Sequence, residues 1–208
     1  MASQKRIGIM ADSHGDFSAI AAAIAFFKLH ACDRVYHLGD ICDSSHPETA
    51  RECVDLLHHN HVFAVKGNND HTLVVNHEGY AESVVPSGTL EYLKQLPLVL
   101  RHKEAVFTHG LPFVAEKGLS CMVGTFGAAE LSSFFQKYPR NLLFRGHQHF
   151  PELVWREKGK VLSRKTWPGE SIPLGHRLPC IVTCGAVDHR FCIIWETDKQ
   201  LISCHQCM

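Results

Sequence analysis

The sequence predicts an α/β domain in which two sheets pack together. Three observations carry this. The first half alternates short apolar runs with longer amphipathic ones, the second half is rich in short strand patterns with one clear hairpin, and no repeat, linker or low-complexity tract interrupts the chain. At about 150 residues per domain, 208 residues are read as one domain spanning residues 1–208.

The elements follow in order. Arg6–Met10 is a buried strand, residues 16–29 a helix rich in Ala, Phe and Ile, and Arg34–His37 a second strand. Residues 47–59 form a helix with Pro47 in its first turn, where a missing N–H costs nothing. Residues 61–65 are a third strand, and this β-α-β-α-β order favours a sheet with helices packed on it. Residues 87–96 are a short helix stopped by Pro97, and residues 98–101 and Ala105–Thr108 are strands around a polar turn at 102–104. Residues 127–138 are a helix with Leu131, Phe134 and Phe135 on one face, and residues 141–144 are again a strand. Residues 152–155 and 160–163 pair as a hairpin across Lys158-Gly159, residues 166–178 are a long loop rich in Pro and Gly, and Cys180–Thr183 and residues 191–195 are late strands. Phe26, Phe27, Phe134 and Phe135 fall in helices and belong to the core.

Composition narrows the function. A hydrophobic fraction of 45% with 20% charged residues is that of a folded chain. Lys+Arg and Asp+Glu both number 21, so the net charge is zero, which argues against binding duplex nucleic acid and against a polybasic membrane contact. The longest apolar run, residues 19–27, is far short of the ~18 residues of a spanning helix, and residues 1–10 hold no secretory leader pattern. A cytoplasmic location is expected. The nine cysteines are an odd number without a framework spacing, so reduced thiols are the default. Cys204 and Cys207 lack a second pair and make an incomplete zinc or redox motif, while Cys180, Cys184 and Cys192 read as small buried hydrophobes.

The 16 histidines matter more, because imidazole is the commonest metal ligand. Five strands end alike, in Ala11-Asp12-Ser13-His14, Leu38-Gly39-Asp40, Lys66-Gly67-Asn68-Asn69-Asp70, Thr108-His109-Gly110 and Arg145-Gly146-His147-Gln148-His149. Loops at the carboxyl ends of strands form the binding crevice of α/β sheets. There Asp12, His14, Asp40, Asn68, His109, His147 and His149 would converge: four imidazoles, two carboxylates and an amide. Seven such donors exceed what one ion takes and suit two ions sharing a carboxylate. Mixed nitrogen and oxygen donors favour Mn, Fe, Co, Ni or Zn over Mg or Ca. The glycines beside the donors let the backbone turn tightly and approach the site with no Cβ in the way. Phe113 and Phe150 directly follow motif loops and are candidates to flank a substrate base or aryl group; Arg190 and Arg145 are candidate phosphate ligands.

In this order and spacing the five motifs resemble the signature of the calcineurin-like metallophosphoesterases, over residues 7–150. The short chain and compact loops are similar to the small bacterial phosphodiesterase branch. The resemblance implies a four-layer α/β-β/α sandwich of two mixed sheets with flanking helices and a dimetal site at one end. It assigns Asp12, His14, Asp40 and His149 to one ion and Asp40, Asn68, His109 and His147 to the other, with Asp40 as the bridge. It implies a metal-dependent phosphodiesterase with two divalent ions, Mn²⁺ first, and a hydroxide between them that attacks phosphorus in line. Its substrate would be a small phosphoester, nucleotides included, and a homo-oligomer is compatible. The rival reading is the family's non-catalytic scaffold of membrane-coat assembly, which the retention of all seven ligand positions disfavours.

Two departures from the family stand out. Where many members have a His after the ligand Asn, this chain has Asn69, a candidate catalytic and substrate-binding residue that can donate a hydrogen bond to a phosphoryl oxygen but delivers no proton at neutral pH. His71 is the candidate substitute. The Asn-Pro-Gly-Ser turn of small relatives is replaced by Thr183-Cys184-Gly185-Ala186, after an extended stretch at 165–179 that is a candidate border of the site.

Overall fold

Twelve strands divide into two six-stranded sheets in the computed structural model, which describes residues 5–207. Numbered in chain order, the first sheet runs β3 (Phe63–Ala64), β2 (Arg34–His37), β1 (Arg6–Met10), β11 (Phe191–Glu196), β12 (Leu201–Gln206) and β9 (Ser171–Pro173). The second runs β4 (Val99–His102), β5 (Ala105–Thr108), β6 (Leu142–Arg145), β10 (Cys180–Thr183), β7 (Glu152–Glu157) and β8 (Lys160–Lys165). β1 pairs β2 and β2 pairs β3 in parallel, as do β5 with β6 and β6 with β10; the other pairings are antiparallel, so both sheets are mixed.

Three apolar interfaces separate four layers. Ile7, Ile9, Tyr36 and Trp195 of the first sheet meet Phe107, Leu142, Phe144 and Val182 of the second in the central core. The outer face of the first sheet packs against α1 (Phe17–Leu29), α2 (Ala50–His59), α3 (Asn68–His77) and α4 (Ser87–Gln95). The outer face of the second, through Val106, Leu143 and Ile181, packs against α6 (Ala128–Lys137), and Phe113, just before the short α5 (Val114–Lys117), joins this cluster. The α/β-β/α sandwich is therefore present.

Local chemistry explains the helices. Asp16 caps α1 by accepting the Ala19 N–H at 2.8 Å. Ala19, Ile20, Ala23, Ile24 and Phe27 then recur at helical spacing and are buried on one stripe. That stripe reaches the central strand β1 because Gly8 has no side chain: a Cβ there would sit 2.5 Å from the Phe27 ring.

The structure departs from the sequence reading at several elements. The strand at 61–65 shrinks to Phe63–Ala64, and the hairpin lengthens to Glu152–Glu157 and Lys160–Lys165. Helix α3 begins inside the Gly67-Asn68 motif. The expected loop at 166–178 contains β9, which pairs with an unforeseen β12 that carries Cys204. Among the described residues no helix is long and apolar enough to cross a membrane.

Gly8→Ala should destabilise the fold by about 1–3 kcal/mol through overpacking, and Phe27→Leu should restore part of that loss in the double variant. Urea denaturation of the two singles and the double checks this. Strictly additive losses would show that Gly8 is not reserved for Phe27.

Candidate metal centre

The five motif loops come from both sheets. Those after β1, β2 and β3 belong to the first, and those after β5 and β6 to the second. They are thus not all neighbours in one parallel sheet; they face one another across the end of the central core. Backbone bonds bind the first pair together: Asp12 N–H donates to Gly39 O at 3.0 Å, and Ser13 and His14 N–H both donate to Asp40 O. Another bond crosses between the sheets, His109 Nδ1 to Leu38 O at 2.8 Å. The loops approach so closely that a Cβ on Gly67 would lie 2.1 Å from Asp40 N.

All seven expected donors are brought together. One ligand atom each from Asp12, His14 and His149 lie within 4.8 Å of one another, and His14 Nε2 faces His149 Nε2 at 3.2 Å. A second cluster of the same tightness joins Asp12, Asp40 and His109. Around His109 Nε2 stand Asn68 Oδ1 at 3.0 Å, His147 Nδ1 at 3.2 Å and Asp40 Oδ2 at 3.5 Å. Asp12 is the carboxylate common to the two clusters. Its oxygens also accept the His147 N–H at 3.0 and 3.1 Å. Four donors, Asp12, His14, Asp40 and His147, have left-handed backbone with φ of 54°, 44°, 52° and 67°. Such conformations cost about 1–3 kcal/mol each unless the surroundings enforce them.

A sequence model of the calcineurin-like phosphoesterase superfamily domain matches residues 6–186. The chain belongs to the calcineurin-like phosphoesterase superfamily. Its fold is similar to that of a metallophosphoesterase from Sphaerobacter thermophilus, with a TM-score of 0.80 at 22% identity over 99% of this chain and 89% of that one. It is also similar to a serine/threonine phosphatase from Saccharomyces cerevisiae, with a TM-score of 0.57 at 15% identity over 100% and 81% of the two chains. An archaeal phosphodiesterase aligns with a TM-score of 0.52 at 16% identity, over 96% of this chain and 98% of its own. Among curated proteins, none matches the chain in sequence.

The donor set of this chain fits a divalent cation on its own chemistry. Asp12 is fully buried and Asp40 is 2% exposed. Burial, with Asp40 nearby, pushes the Asp12 carboxyl up to about 7, although His109 opposes this. Burial also pulls Asp40 upward, but His109 and the Asn69 hydrogen bonds win and hold it below the usual carboxylate range. Burial pulls His109 down, yet the Asp40 carboxylate outweighs it and lifts the imidazole to about 9. Burial holds His147 down at about 4, and His149 is lowered by burial and by His14. Once Asp12 loses its proton, two buried carboxylates share one protonated imidazole, a deficit of positive charge that a cation would fill.

Supporting residues hold this cluster in place. Asn69 donates to Asp40 twice, N–H to Oδ1 and Nδ2 to Oδ2, both at 2.8 Å, while its Oδ1 accepts from Ser44 Oγ. Its amide is engaged at both ends. Asp70 accepts three backbone N–H bonds, from Ile41, Cys42 and Gly67, at 2.9–3.0 Å. His37, buried at the end of β2, bonds Ser13 Oγ at 2.9 Å.

The remaining candidates scatter. Phe150 is 59% exposed and borders, with His147 and His149, a groove of about 480 Å³. Lys165 Nζ lies 5.8 Å from its ring. His71 is half-buried in the first turn of α3. Arg190 is paired with the α1 cap residue Asp16 at 3.7 Å. Phe113 is a correction: it is 4% exposed and packs against Phe126 and Tyr138 in the outer core, away from the groove that His147 and His149 line. The sequence reading missed Asp188 and His189. The Asp188 N–H reaches Asp12 O at 3.5 Å, and the His189 ring lies 5.6 Å from that of His149. Their signal was available, since they sit in the loop that leaves β10, a sixth strand end.

Two outcomes follow. Asp70→Ala strips three buried N–H groups of their acceptor and should cost about 2–5 kcal/mol in urea denaturation; a loss within error would remove Asp70 as the anchor. For the protein treated with chelator, protons on Asp12 and His109 compete with a cation. Apparent Mn²⁺ affinity should therefore rise as pH climbs through 7 toward 9, and Asp12→Asn should flatten the lower part. Calorimetric titration from pH 6 to 9 measures this, and an affinity independent of pH would count against it.

Proposed function

We propose that the protein is a phosphodiesterase that works with two divalent transition-metal ions, Mn²⁺ first among them. Asp12, His14, Asp40, Asn68, His109, His147 and His149 would hold them. The single observation behind this reading is the convergence of all seven donors from five loops in a chain of this superfamily. Bound ions of this kind neutralise phosphoryl charge and acidify water.

The protein's own residues do the rest. The Leu38 carbonyl fixes the His109 ring through Nδ1, which leaves Nε2 to act as a ligand once its proton is gone. Asn69 orients Asp40, so it serves the cluster from behind and has no proton to give a leaving group. His71 is the nearest imidazole along the chain and the candidate acid. The exposed Phe150 ring offers a flat apolar wall beside His149 for the aryl or base portion of a substrate. A diester carries one negative charge, is less repelled by Asp12 and Asp40 than a monoester dianion, and with a good leaving group needs no general acid. All nine cysteines are free, which suits the reducing cytoplasm.

Elemental analysis after Mn²⁺ loading should approach two ions per chain, and a plateau at one would defeat the two-ion reading. Asp12→Asn and Asp40→Asn should each lower metal content and turnover together; whichever variant loses both ions carries the bridge. Asn69→Ala should weaken metal binding about 10–100-fold by releasing Asp40. Wild type should hydrolyse bis(p-nitrophenyl) phosphate with a higher kcat/KM than phosphoserine. Equal or better turnover of phosphoserine by wild type would mean that another residue, His71 first, supplies the proton.

A further inference from the structure

One charged side chain interrupts the outer core of the second sheet. Along β6, Leu142 and Phe144 face the central core while Leu143 faces α6, and Arg145 closes the strand on the α6 side. Arg145 is only 2% exposed. Its guanidinium carbon lies 5.3 Å from the Phe126 ring centroid. Its Nε and Nη2 are buried without an acceptor among the described residues. A buried guanidinium with unused donors is costly, so something with acceptors is expected to meet it.

Arg145 borders a cavity of about 230 Å³. Phe126 and Ile181 are among its apolar walls, and beside Arg145 the side chains of Gln148, Glu152, Ser163 and Thr183 give it a largely polar lining. Those walls suit a flat heterocycle. A free oxyanion would meet the Glu152 carboxylate, whereas a heterocycle with N–H donors can satisfy it. Gln148 and Glu152 also line the groove that holds His147, His149 and Phe150, so cavity and groove share an edge beside the metal ligands.

We propose that this cavity is a base subsite, and that it takes the guanine of a nucleotide diester whose phosphorus lies at the metal centre. Guanine presents adjacent acceptors, O6 and N7, the edge to which Arg binds most often, and its N1–H and N2–H₂ donate to a carboxylate such as Glu152. Adenine offers an amino donor where guanine has O6, and it has no N1–H. The assignment rests on the phosphodiesterase reading above for its phosphate end and on Arg145, Glu152 and the cavity for its base end.

The test compares p-nitrophenyl esters of guanosine and adenosine 5′-monophosphate, with bis(p-nitrophenyl) phosphate as the baseless reference. Wild type should favour the guanosine ester in kcat/KM by about 5–150-fold. Glu152→Gln, isosteric and at a half-buried position, should lower the ratio measurably by weakening the contact to N1–H and N2–H₂. Arg145→Gln should lower kcat/KM for the guanosine ester more than for the reference. Should that buried substitution fail to fold, Glu152→Gln decides alone. Independently, guanosine monophosphate is titrated into chelator-treated protein, where binding should exceed that of adenosine monophosphate and depend on Glu152. Hydrolysis of the reference without base preference, together with equal titrations, overturns the base subsite and leaves the phosphodiesterase reading standing. Guanosine-selective titration with no hydrolysis of any diester does the reverse.

Discussion

The burial of Asp12, Asp40 and His109 in one cluster is the constraint to which the rest of the molecule answers. Each is at most 2% exposed, and each comes from a different strand end. Two carboxylates and an imidazole removed from water are tolerable only if every lone pair and N–H finds a partner. The partners come from both sheets: Leu38 O from the first meets His109 from the second, and Asp12 from the first accepts the His147 N–H of the second. The separation of the sheets must therefore be set to within a few tenths of an ångström.

A column of rings sets that separation. Tyr36 stacks on Phe107 at 4.0 Å, Phe107 on Phe144 at 5.4 Å, and Phe144 leans on Trp195 at 5.4 Å. The first three lie a few residues before Asp40, His109 and His147. Rigid aromatic contacts in the central core thus carry directly into the positions of the candidate ligands. Around the cluster, Asn69, Asp70 and the Ser13–His37 pair leave few polar atoms free, so the donors are arranged before any cation arrives.

Much of this was legible because strand ends announce themselves. An apolar run that stops at a small residue beside Asp, Asn or His is a local pattern, and the seven candidate donors that converge in the structure were read from it. What stayed hidden depended on non-local contacts. Helix α3 reads Asn68-Asn69-Asp70-His71-Thr72, poor helix formers, and it starts there because the Asp70 side chain accepts the Gly67 N–H as a cap. In β12, Ile202 and Cys204 are buried at alternate positions, but the cysteine and histidine drew attention to metal or redox chemistry instead. Phe113 follows the His109-Gly110 loop in sequence, yet the chain turns it into the outer core, which no local pattern foretells. Asp188 and His189 reach the site only because β10 lies beside β6.

The left-handed backbone at Asp12, His14, Asp40 and His147 has an evolutionary consequence. Glycine adopts that conformation at no steric cost, and asparagine tolerates it better than most residues. At these four positions selection for ligand chemistry runs against selection for an unstrained chain. A descendant released from the need for the site would gain stability by drifting to glycine or asparagine there. Loss of the cluster by substitution at these four positions is thus a downhill path for this architecture.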